Sequence, residues 1–226
     1  MSTPDWQVLP DVEAVAAETA RRIAAAARAA IARHGEFRVV LAGGRTPEAA
    51  YRRLAGLGSD WERWQVYFGD ERCLPADHAE RNSRMAGRAL LAEVPLPLDQ
   101  VHAIPAELEA ATAARRYASL ARAAAPFDLV LLGVGEDGHT ASLFPGRPID
   151  PAAWAVAVHD APKPPPERVS LGLRALQSTR AMLVVATGAA KREVLARWRA
   201  GEDLPIARVC AGRSVTVLTD AAANPA

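Results

Sequence analysis

The sequence is poor in cysteine and has no long apolar run. Its two cysteines, Cys73 and Cys210, do not have the spacing of metal ligands, and nothing suggests a disulfide-rich secreted protein. No stretch of about 18 apolar residues is present, which argues against a transmembrane helix. The N-terminal residues also lack the basic and apolar regions of a signal peptide. We therefore expect a cytoplasmic protein without a membrane partner.

An excess of charge of either sign is also missing. The 226 residues carry a formal net charge of only +1, whereas nucleic-acid-binding proteins usually have a strong basic excess. We therefore expect no nucleic-acid partner. The basic residues are almost all arginine, and Lys163 and Lys191 are the only lysines. A lysine kept in such a chain can have a specific use, although chance explains Lys163 equally well.

Apolar runs alternate with amphipathic or alanine-rich segments along the chain. This alternation favours an α/β fold with a mostly parallel sheet and helices on both faces, and we expect a single domain over residues 1–226. Strands are predicted at 37–42, 64–69, 101–104, 127–133, 154–158, 168–171, 181–187 and 214–218. Helices are predicted at 11–34, 46–55, 82–93, 107–124 and 188–198, with caps at Asp11, Thr46 and Asn82, and the tail from Asp220 is expected to fray.

A glycine-rich turn, Gly43-Gly44-Arg45-Thr46, follows the strand at 37–42. Glycines allow backbone amides to approach an anion closely, and the N-terminus of the next helix adds partial positive charge. Thr46 also offers a hydroxyl group. The turn predicts an anion site, and a purely structural turn is the alternative.

A charged loop, Asp70-Glu71-Arg72, follows the strand at 64–69. Ligands of open α/β sheets bind outside the carboxyl ends of the strands. Two carboxylates and a guanidinium at such a place therefore predict a contact with a ligand. A loop that is merely solvated is the alternative.

The segment Phe127–Pro145 is the most informative part of the chain. A buried strand is predicted to end in a glycine-rich turn that leads directly to Asp137-Gly138-His139. A histidine in such a loop is well placed for proton transfer near neutral pH. A histidine with a structural role is the alternative.

Lys191 lies about one turn into the helical segment that begins at Gly188. From there it can reach back toward an anion at the helix start, and a surface lysine is the alternative. Taken together, the four loops place glycine-rich turns, cationic groups and an acid–imidazole pair at one edge of the sheet. This inventory suits a phosphorylated small molecule.

The sequence gives no sign of a cofactor. It contains neither the P-loop pattern nor the dinucleotide fingerprint, so a nucleotide is not expected. His78, His102, His139 and His159 are scattered along the chain without the spacing of metal ligands, so no metal site is predicted.

Five segments resemble, in order, the signature regions of the 6-phosphogluconolactonase family. They are LAGGRTP, VYFGDER, LLGVGEDGHTASLFPG, KPPPERVSLGL and TGAAKREVL, and the resemblance covers the chain from about Val8 to Leu218. The third segment is the most specific. The resemblance implies a modified Rossmann-like fold, no redox cofactor, and hydrolysis of 6-phospho-glucono-1,5-lactone to 6-phosphogluconate in the oxidative pentose phosphate pathway.

Glucosamine-6-phosphate deaminases and sugar-phosphate isomerases are related to this family and are the main alternative. The deaminases have a glutamate five residues after the histidine that takes part in opening the sugar ring. Phe144 occupies that position here, and a phenyl ring cannot accept a proton. A non-enzymatic sugar-phosphate-binding module is the other alternative, and the Asp137–His139 loop argues against it.

The chain departs from the family pattern at two places. It reads Arg81-Asn82-Ser83 where the family usually has a Ser-Asn pair, and Arg45 stands where the family often has a small hydroxyl residue. Both departures leave the phosphate subsite less well defined than the catalytic loop.

We hypothesise that the substrate's phosphate docks between the 43–46 turn, Arg168 and Lys191. A planar guanidinium can bind a phosphate through two parallel hydrogen bonds, whereas an ammonium acts as a point charge. His139 is expected to act as a general base toward the attacking water. The protein is expected to be a monomer or a weak dimer.

Other roles remain open at the level of the sequence. Arg72, or the backbone amides of residues 133–135, can stabilise the charge that develops on the carbonyl oxygen. Asp70 and Asp137 can each bind sugar hydroxyls or orient the histidine. Ser142 keeps a covalent route open.

Overall fold

The computed structural model of the chain describes residues 3–225. Its strands are β1 (Asp5–Leu9), β2 (Phe37–Leu41), β3 (Trp64–Phe68), β4 (Asp70–Arg72), β5 (Val101–His102), β6 (Phe127–Gly133), β7 (Ala155–Val158), β8 (Arg168–Leu171), β9 (Thr179–Ala186) and β10 (Val215–Asp220). Its α-helices are α1 (Val12–His34), α2 (Arg45–Ala55), α3 (Asn82–Ala86), α4 (Ala110–Ala124), α5 (Leu173–Gln177), α6 (Arg192–Arg199) and α7 (Pro205–Cys210).

Seven of the strands form a parallel sheet in the order β1-β10-β9-β6-β2-β3-β5. The central strand β6 is buried from Phe127 to Leu132, as expected for a strand covered on both faces. The predicted α/β fold with a mostly parallel sheet is confirmed. Among the described residues, no helix combines the length and apolarity needed to cross a membrane.

The long helix α1 follows directly from its sequence. The Asp11 carboxylate accepts a hydrogen bond from the Ala14 amide at 2.8 Å, and Gly35 ends the helix in the left-handed conformation with φ of 87°. The buried stripe of α1 is mostly alanine, with Val15 and Ile23 as its larger members. Small side chains allow the helix to lie close to the sheet.

The order of the strands contains a switch point between β2 and β6. From β2 the chain continues outward through β3 to β5, and it then returns to the other side of β2 to form β6, β9 and β10. At such a point the loops that follow the two central strands diverge and leave a crevice at the carboxyl edge of the sheet. The 43–46 turn and the His139 loop border this crevice.

A second, smaller sheet lies beside this edge. Strands β4, β8 and β7 pair antiparallel, and the Gly69 carbonyl accepts a hydrogen bond from the Leu171 amide. The predicted strands at 154–158 and 168–171 therefore exist, but they belong to this sheet. Asp70–Arg72, predicted as a loop, is strand β4, because its backbone pairs with β8.

Several local predictions are wrong. The N-terminal cap of α2 is Gly44 and that of α3 is Arg81, so neither Thr46 nor Asn82 caps its helix. The tail is not frayed at its start, because the Asp220 carboxylate accepts hydrogen bonds from the amides of Gly188 and Ala223. Strand β1 and helices α5 and α7 were not predicted, since each is short.

Candidate active site

Four neighbouring strands, β9, β6, β2 and β3, carry the four predicted loops at their carboxyl ends. Together with the small sheet, these loops enclose an open cavity of about 330 Å³. Its lining includes seven of the predicted site residues: Gly43, Gly44, Asp70, Arg72, His139, Arg168 and Lys191. Of these, Arg168 contributes from strand β8. The structure therefore brings together residues that are far apart in the sequence.

His139 and Asp137 form a close pair, of which His139 lines the cavity. The imidazole Nδ1 lies 2.5 Å from Asp137 Oδ1, and the His139 amide donates to the same oxygen at 3.2 Å. An ionised carboxylate can only accept a hydrogen bond, so Nδ1 carries the proton and Nε2 is the basic nitrogen of the ring. Asp137, and not Asp70, therefore orients His139.

The carboxylate of Asp137 is held in its ionised form. Burial raises the pKa of this carboxyl, but the charge of His139 and the hydrogen bonds from the His139 amide and ring outweigh burial and lower the pKa below its ordinary value of 3.8. The carboxylate therefore stays charged over the whole range in which an imidazole changes its protonation state.

Gly135 and Phe144 fix the position of the imidazole. A side-chain carbon on Gly135 would lie 2.0 Å from His139 Nδ1, so only glycine leaves room for the ring. On another side, the buried ring of Phe144 contacts His139 with a centroid distance of 4.8 Å. The Gly135 amide donates to the His139 carbonyl at 2.8 Å, which removes it from the backbone amides available to an oxyanion.

Asp70 links two of the loops. It accepts a hydrogen bond from Ser142 Oγ at 2.6 Å and one from Asn82 Nδ2 at 3.0 Å. The Asn82 side chain in turn lies against Gly43, where an added side-chain carbon would be 2.1 Å from Asn82 Oδ1. Ser142 is buried with its hydroxyl directed at Asp70, an arrangement that does not suit a nucleophile.

Glu71 has a structural role at the N-terminus of α3. Its buried carboxylate accepts hydrogen bonds from the amides of Arg72, Asn82 and Ser83 and from the Ser83 hydroxyl, at 2.7–2.9 Å. This carboxylate satisfies the first amides of α3 in place of a capping side chain. It holds Asn82 where that residue can contact Asp70.

The other side of the cavity is cationic. Arg72 and Arg168 are directly opposite each other on strands β4 and β8, and like charges in that position repel. Burial lowers the pKa of Arg168, Asp70 partly opposes this effect, and Arg72 adds to it. A bound anion in the cavity would offset this repulsion.

Lys191 belongs to the same cationic surface. Burial lowers the pKa of its ammonium group, Glu136 at 3.9 Å opposes the effect, and Lys163 and Arg45 contribute positive charge nearby. A bound phosphate would stabilise the charged form of Lys191 in place of the lost solvent. The burial therefore favours an anion as the ligand of this group.

The lining does not include three of the predicted residues, Arg45, Thr46 and Asp137. Arg45 is exposed, and the Thr46 hydroxyl forms a hydrogen bond of 2.7 Å with the Thr187 hydroxyl. Thr46 thereby connects the turn after β2 to the end of β9. Its contact organises the two anion loops, because it joins them at their bases.

Two residues of the site were missed by sequence reasoning. Asn82 was expected only as a cap, and its contact with Asp70 could not be read from a local pattern. Lys163 lines the cavity, although chance explained it equally well from the sequence. The signal that could have identified it is the scarcity of lysine in an arginine-rich chain.

The fold and the cavity together define an α/β protein that has an acid–imidazole pair and a cationic surface at a switch point of its sheet. Within residues 3–225, no group of three or more His, Cys, Asp or Glu side chains is arranged to hold a metal ion. Residues 10–218 match the family model described as glucosamine-6-phosphate isomerases/6-phosphogluconolactonase. The chain belongs to this family.

Individual relatives agree with the family match. The chain is 39% identical to a 6-phosphogluconolactonase of Streptomyces coelicolor, with 98% of this chain and 94% of the relative covered. It is 37% identical to a 6-phosphogluconolactonase of Mycobacterium tuberculosis, over 91% of this chain and 90% of the relative. The structure of 6-phosphogluconolactonase from Thermotoga maritima superimposes on this chain with a TM-score of 0.90 and a sequence identity of 27%. The match covers 96% of this chain and 100% of that one.

Proposed function

We propose that this protein hydrolyses 6-phospho-D-glucono-1,5-lactone to 6-phosphogluconate, the lactonase step of the oxidative pentose phosphate pathway. The observation that carries the proposal is the Asp137–His139 pair, whose imidazole lines a cavity with a cationic opposite side. Family membership and the relatives named above agree with it. The substrate combines an ester carbonyl with a phosphate, and the cavity offers a basic nitrogen and cations for these two groups.

His139 is the general base of this mechanism. Its Nε2 takes a proton from water while the water oxygen bonds to the lactone carbonyl carbon, and the carbonyl electrons move to the oxygen. When the tetrahedral intermediate collapses, the ring C–O bond breaks and the ring oxygen takes the proton from the imidazolium. Asp137 stabilises the imidazolium between these two steps.

Arg72 is the side chain best placed to stabilise the oxyanion. It lines the cavity next to Asp70, and one of its terminal nitrogens donates to the Glu80 carbonyl, which fixes the guanidinium. The Gly135 amide is engaged with the His139 carbonyl, which favours Arg72 over that backbone group. Asp70 is left to bind sugar hydroxyls at the cavity wall.

The phosphate binds to the turn at Gly43 and Gly44 and to Lys191. The turn precedes α2, so the backbone amides and the partial charge of the helix N-terminus both favour an anion. Arg168 adds positive potential from strand β8. This anchoring holds the lactone ring over His139.

A coupled assay tests the proposal. Glucose-6-phosphate dehydrogenase generates the lactone, and acid release is followed above the spontaneous rate for the wild type and for His139→Ala. We expect the wild type to accelerate hydrolysis and His139→Ala to lose at least about 100-fold in kcat. A wild type that releases ammonia from glucosamine 6-phosphate and leaves the lactone untouched would instead identify a deaminase.

The phenyl ring of Phe144 argues against that alternative. It is buried, contacts the imidazole and also lies 5.8 Å from the Arg168 guanidinium carbon. A ring in this position packs the site and cannot transfer a proton.

The same proposal includes the setting of the enzyme. We propose that it acts in the cytoplasm, which the scarcity of cysteine supports. The near-neutral net charge supports a small-molecule substrate and not a nucleic acid. We propose a monomer or weak dimer, which sedimentation of the purified protein tests.

A further inference from the structure

A proline-rich loop extends over the cavity between β7 and β8. We call residues Ala161–Pro166 the proline strap. Its base is closed by a hydrogen bond of 2.9 Å from the Ala161 amide to the Pro166 carbonyl and by a His159–Glu167 contact of 2.7 Å. At the β7 end, Arg147 donates to the carbonyls of His159 and Asp160.

The Arg168 guanidinium is engaged by the strap. Its Nε donates to the Pro165 carbonyl at 3.1 Å, and its Nη2 donates to the carbonyls of Lys163 at 2.8 Å and Pro164 at 3.3 Å. A bidentate grip on phosphate needs two adjacent N–H groups of the guanidinium. The two donor pairs of a guanidinium, Nε with Nη2 and Nη1 with Nη2, both include Nη2. Because Nη2 is engaged by the strap, Arg168 is not arranged for the two-bond contact expected from the sequence.

Lys163 is the charged residue of the strap that faces the cavity. It is exposed, it lines the cavity, and it is close enough to lower the pKa of Lys191, together with the larger effect of burial. Four prolines at 162, 164, 165 and 166 restrict the strap backbone, so little chain entropy is lost when its lysine binds a ligand. Two ammonium groups facing one cavity repel each other until a multivalent anion lies between them.

We propose that Lys163, which the proline strap carries, is a second ammonium ligand of the substrate's phosphate. Arg168 is then a positioning residue that holds the strap by donating to three of the strap's carbonyls. The inference rests on the proposed function, since it concerns the same cavity and the same substrate. It assigns a binding role to Lys163 and changes the role of Arg168 from direct contact to support.

The first experiment compares two substrates of the full chain. With the phosphorylated lactone, Lys163→Ala and Lys163→Gln should raise KM at least about 10-fold with little change in kcat, and Lys163→Arg should restore most of the affinity. With unphosphorylated glucono-1,5-lactone, all variants should have the kcat/KM of the wild type. A KM for Lys163→Ala within twofold of the wild type would overturn the proposal.

Titration with inorganic phosphate separates this proposal from the proposed function. Calorimetry on the wild type and Lys163→Ala measures the anion site without turnover. If the wild type hydrolyses no lactone, the proposed function fails, and a weaker phosphate affinity of Lys163→Ala still supports the role of Lys163. Equal affinities overturn it.

A double-mutant cycle tests the role of Arg168. Arg168→Lys keeps the positive charge but lacks the planar guanidinium that donates to the carbonyls from two nitrogens, so it should raise KM about as much as Lys163→Ala. In the double variant the two effects should not multiply, because both act through Lys163. Multiplying effects would show that Arg168 acts independently and would overturn its positioning role. The Lys163 variants change an exposed side chain, so their test stands even if Arg168→Lys does not fold.

Discussion

The imidazole of His139 lies directly over the backbone of Gly135, and this contact determines which residue can stand there. No positive φ requires glycine at this position; the requirement comes from the 2.0 Å approach that a side-chain carbon would make to Nδ1. At the scale of single residues, the site therefore depends on the space left for the imidazole and on which ring nitrogen carries the proton. The Asp137–His139 pair and its immediate neighbours determine both.

Gly135→Ala should reduce kcat/KM at least about 100-fold, because the added methyl group displaces the imidazole and small displacements of a catalytic group are costly. The folded state should remain, since the rest of the loop can shift outward. Gly87→Ala is the matched control, because an added carbon there meets nothing within 4 Å. Steady-state kinetics on both variants check this, and wild-type activity in Gly135→Ala would contradict the assigned position of the ring.

The lowered pKa of Asp137 limits what a loss of activity in acid can report. A carboxyl with a lowered pKa stabilises the folded state above its unfolded-state value and loses that contribution only as the pH falls through the lower, folded-state value. A loss of activity at a pH well above the ordinary carboxyl value of 3.8 therefore does not report protonation of Asp137.

Asp137→Asn should lower kcat by roughly 10²–10⁴-fold, because the amide no longer fixes the tautomer of His139. Steady-state kinetics of the wild type and the variant measure the loss. A kcat of Asp137→Asn within twofold of the wild type would be incompatible with this role of the pair.

At the scale of elements, the N-terminus of helix α3 depends on a side chain from strand β4. Glu71 of β4 supplies the acceptors for the first amides of α3, and its carboxylate lies 3.4 Å from the buried guanidinium of Arg81. Arg81 itself donates to the Ile104 carbonyl and to Glu107. One buried carboxylate therefore joins β4, α3 and the segment after β5.

Glu71→Gln should destabilise the protein by about 3 kcal/mol, because it removes a buried acceptor of several hydrogen bonds and leaves a buried guanidinium less well compensated. Urea unfolding with an unchanged m value measures the loss. Glu48→Gln removes a carboxylate from a more exposed i,i+4 pair with Arg52 and should cost less than about 1 kcal/mol. Equal costs for the two variants would contradict the capping role of Glu71.

At the scale of the whole molecule, the site is assembled by the order of strands in the sheet. Loops from β9, β6, β2 and β3 meet at one edge, and the small antiparallel sheet adds its cations from the side. One extended apolar cluster includes residues of α1, α4, α6 and the central strands. This continuity supports the proposal that the chain forms a single domain.

Because several elements contribute to the anion site, ligand binding should stabilise the whole fold. 6-Phosphogluconate at about 100 times its Kd should add about 2.7 kcal/mol, which corresponds to a rise of roughly 5–11 °C in Tm for a chain of this size. Lys191→Ala should abolish most of this rise, whereas Arg28→Ala, an exposed change of equal charge on α1, should retain it. Thermal unfolding at several ligand concentrations checks this, and an equal rise in Lys191→Ala would exclude Lys191 from the anion site.

Local patterns in the sequence were sufficient for the elements that form through short-range interactions. Apolar runs predicted the central strands, and Asp11 predicted the start of α1, because periodicity and capping act over a few residues. The glycine-rich turns and the Asp137-Gly138-His139 segment also indicated the anion and imidazole sites, since their chemistry lies within single loops.

Contacts between distant segments could not be predicted in this way. Only the folded chain shows that Asp70 binds Ser142 and Asn82 instead of His139, and that β4 and β8 place Arg72 opposite Arg168. These contacts join residues of different loops and strands, and they depend on strand order and register. Strand order and register result from packing the entire core at once, so no short stretch of sequence contains them.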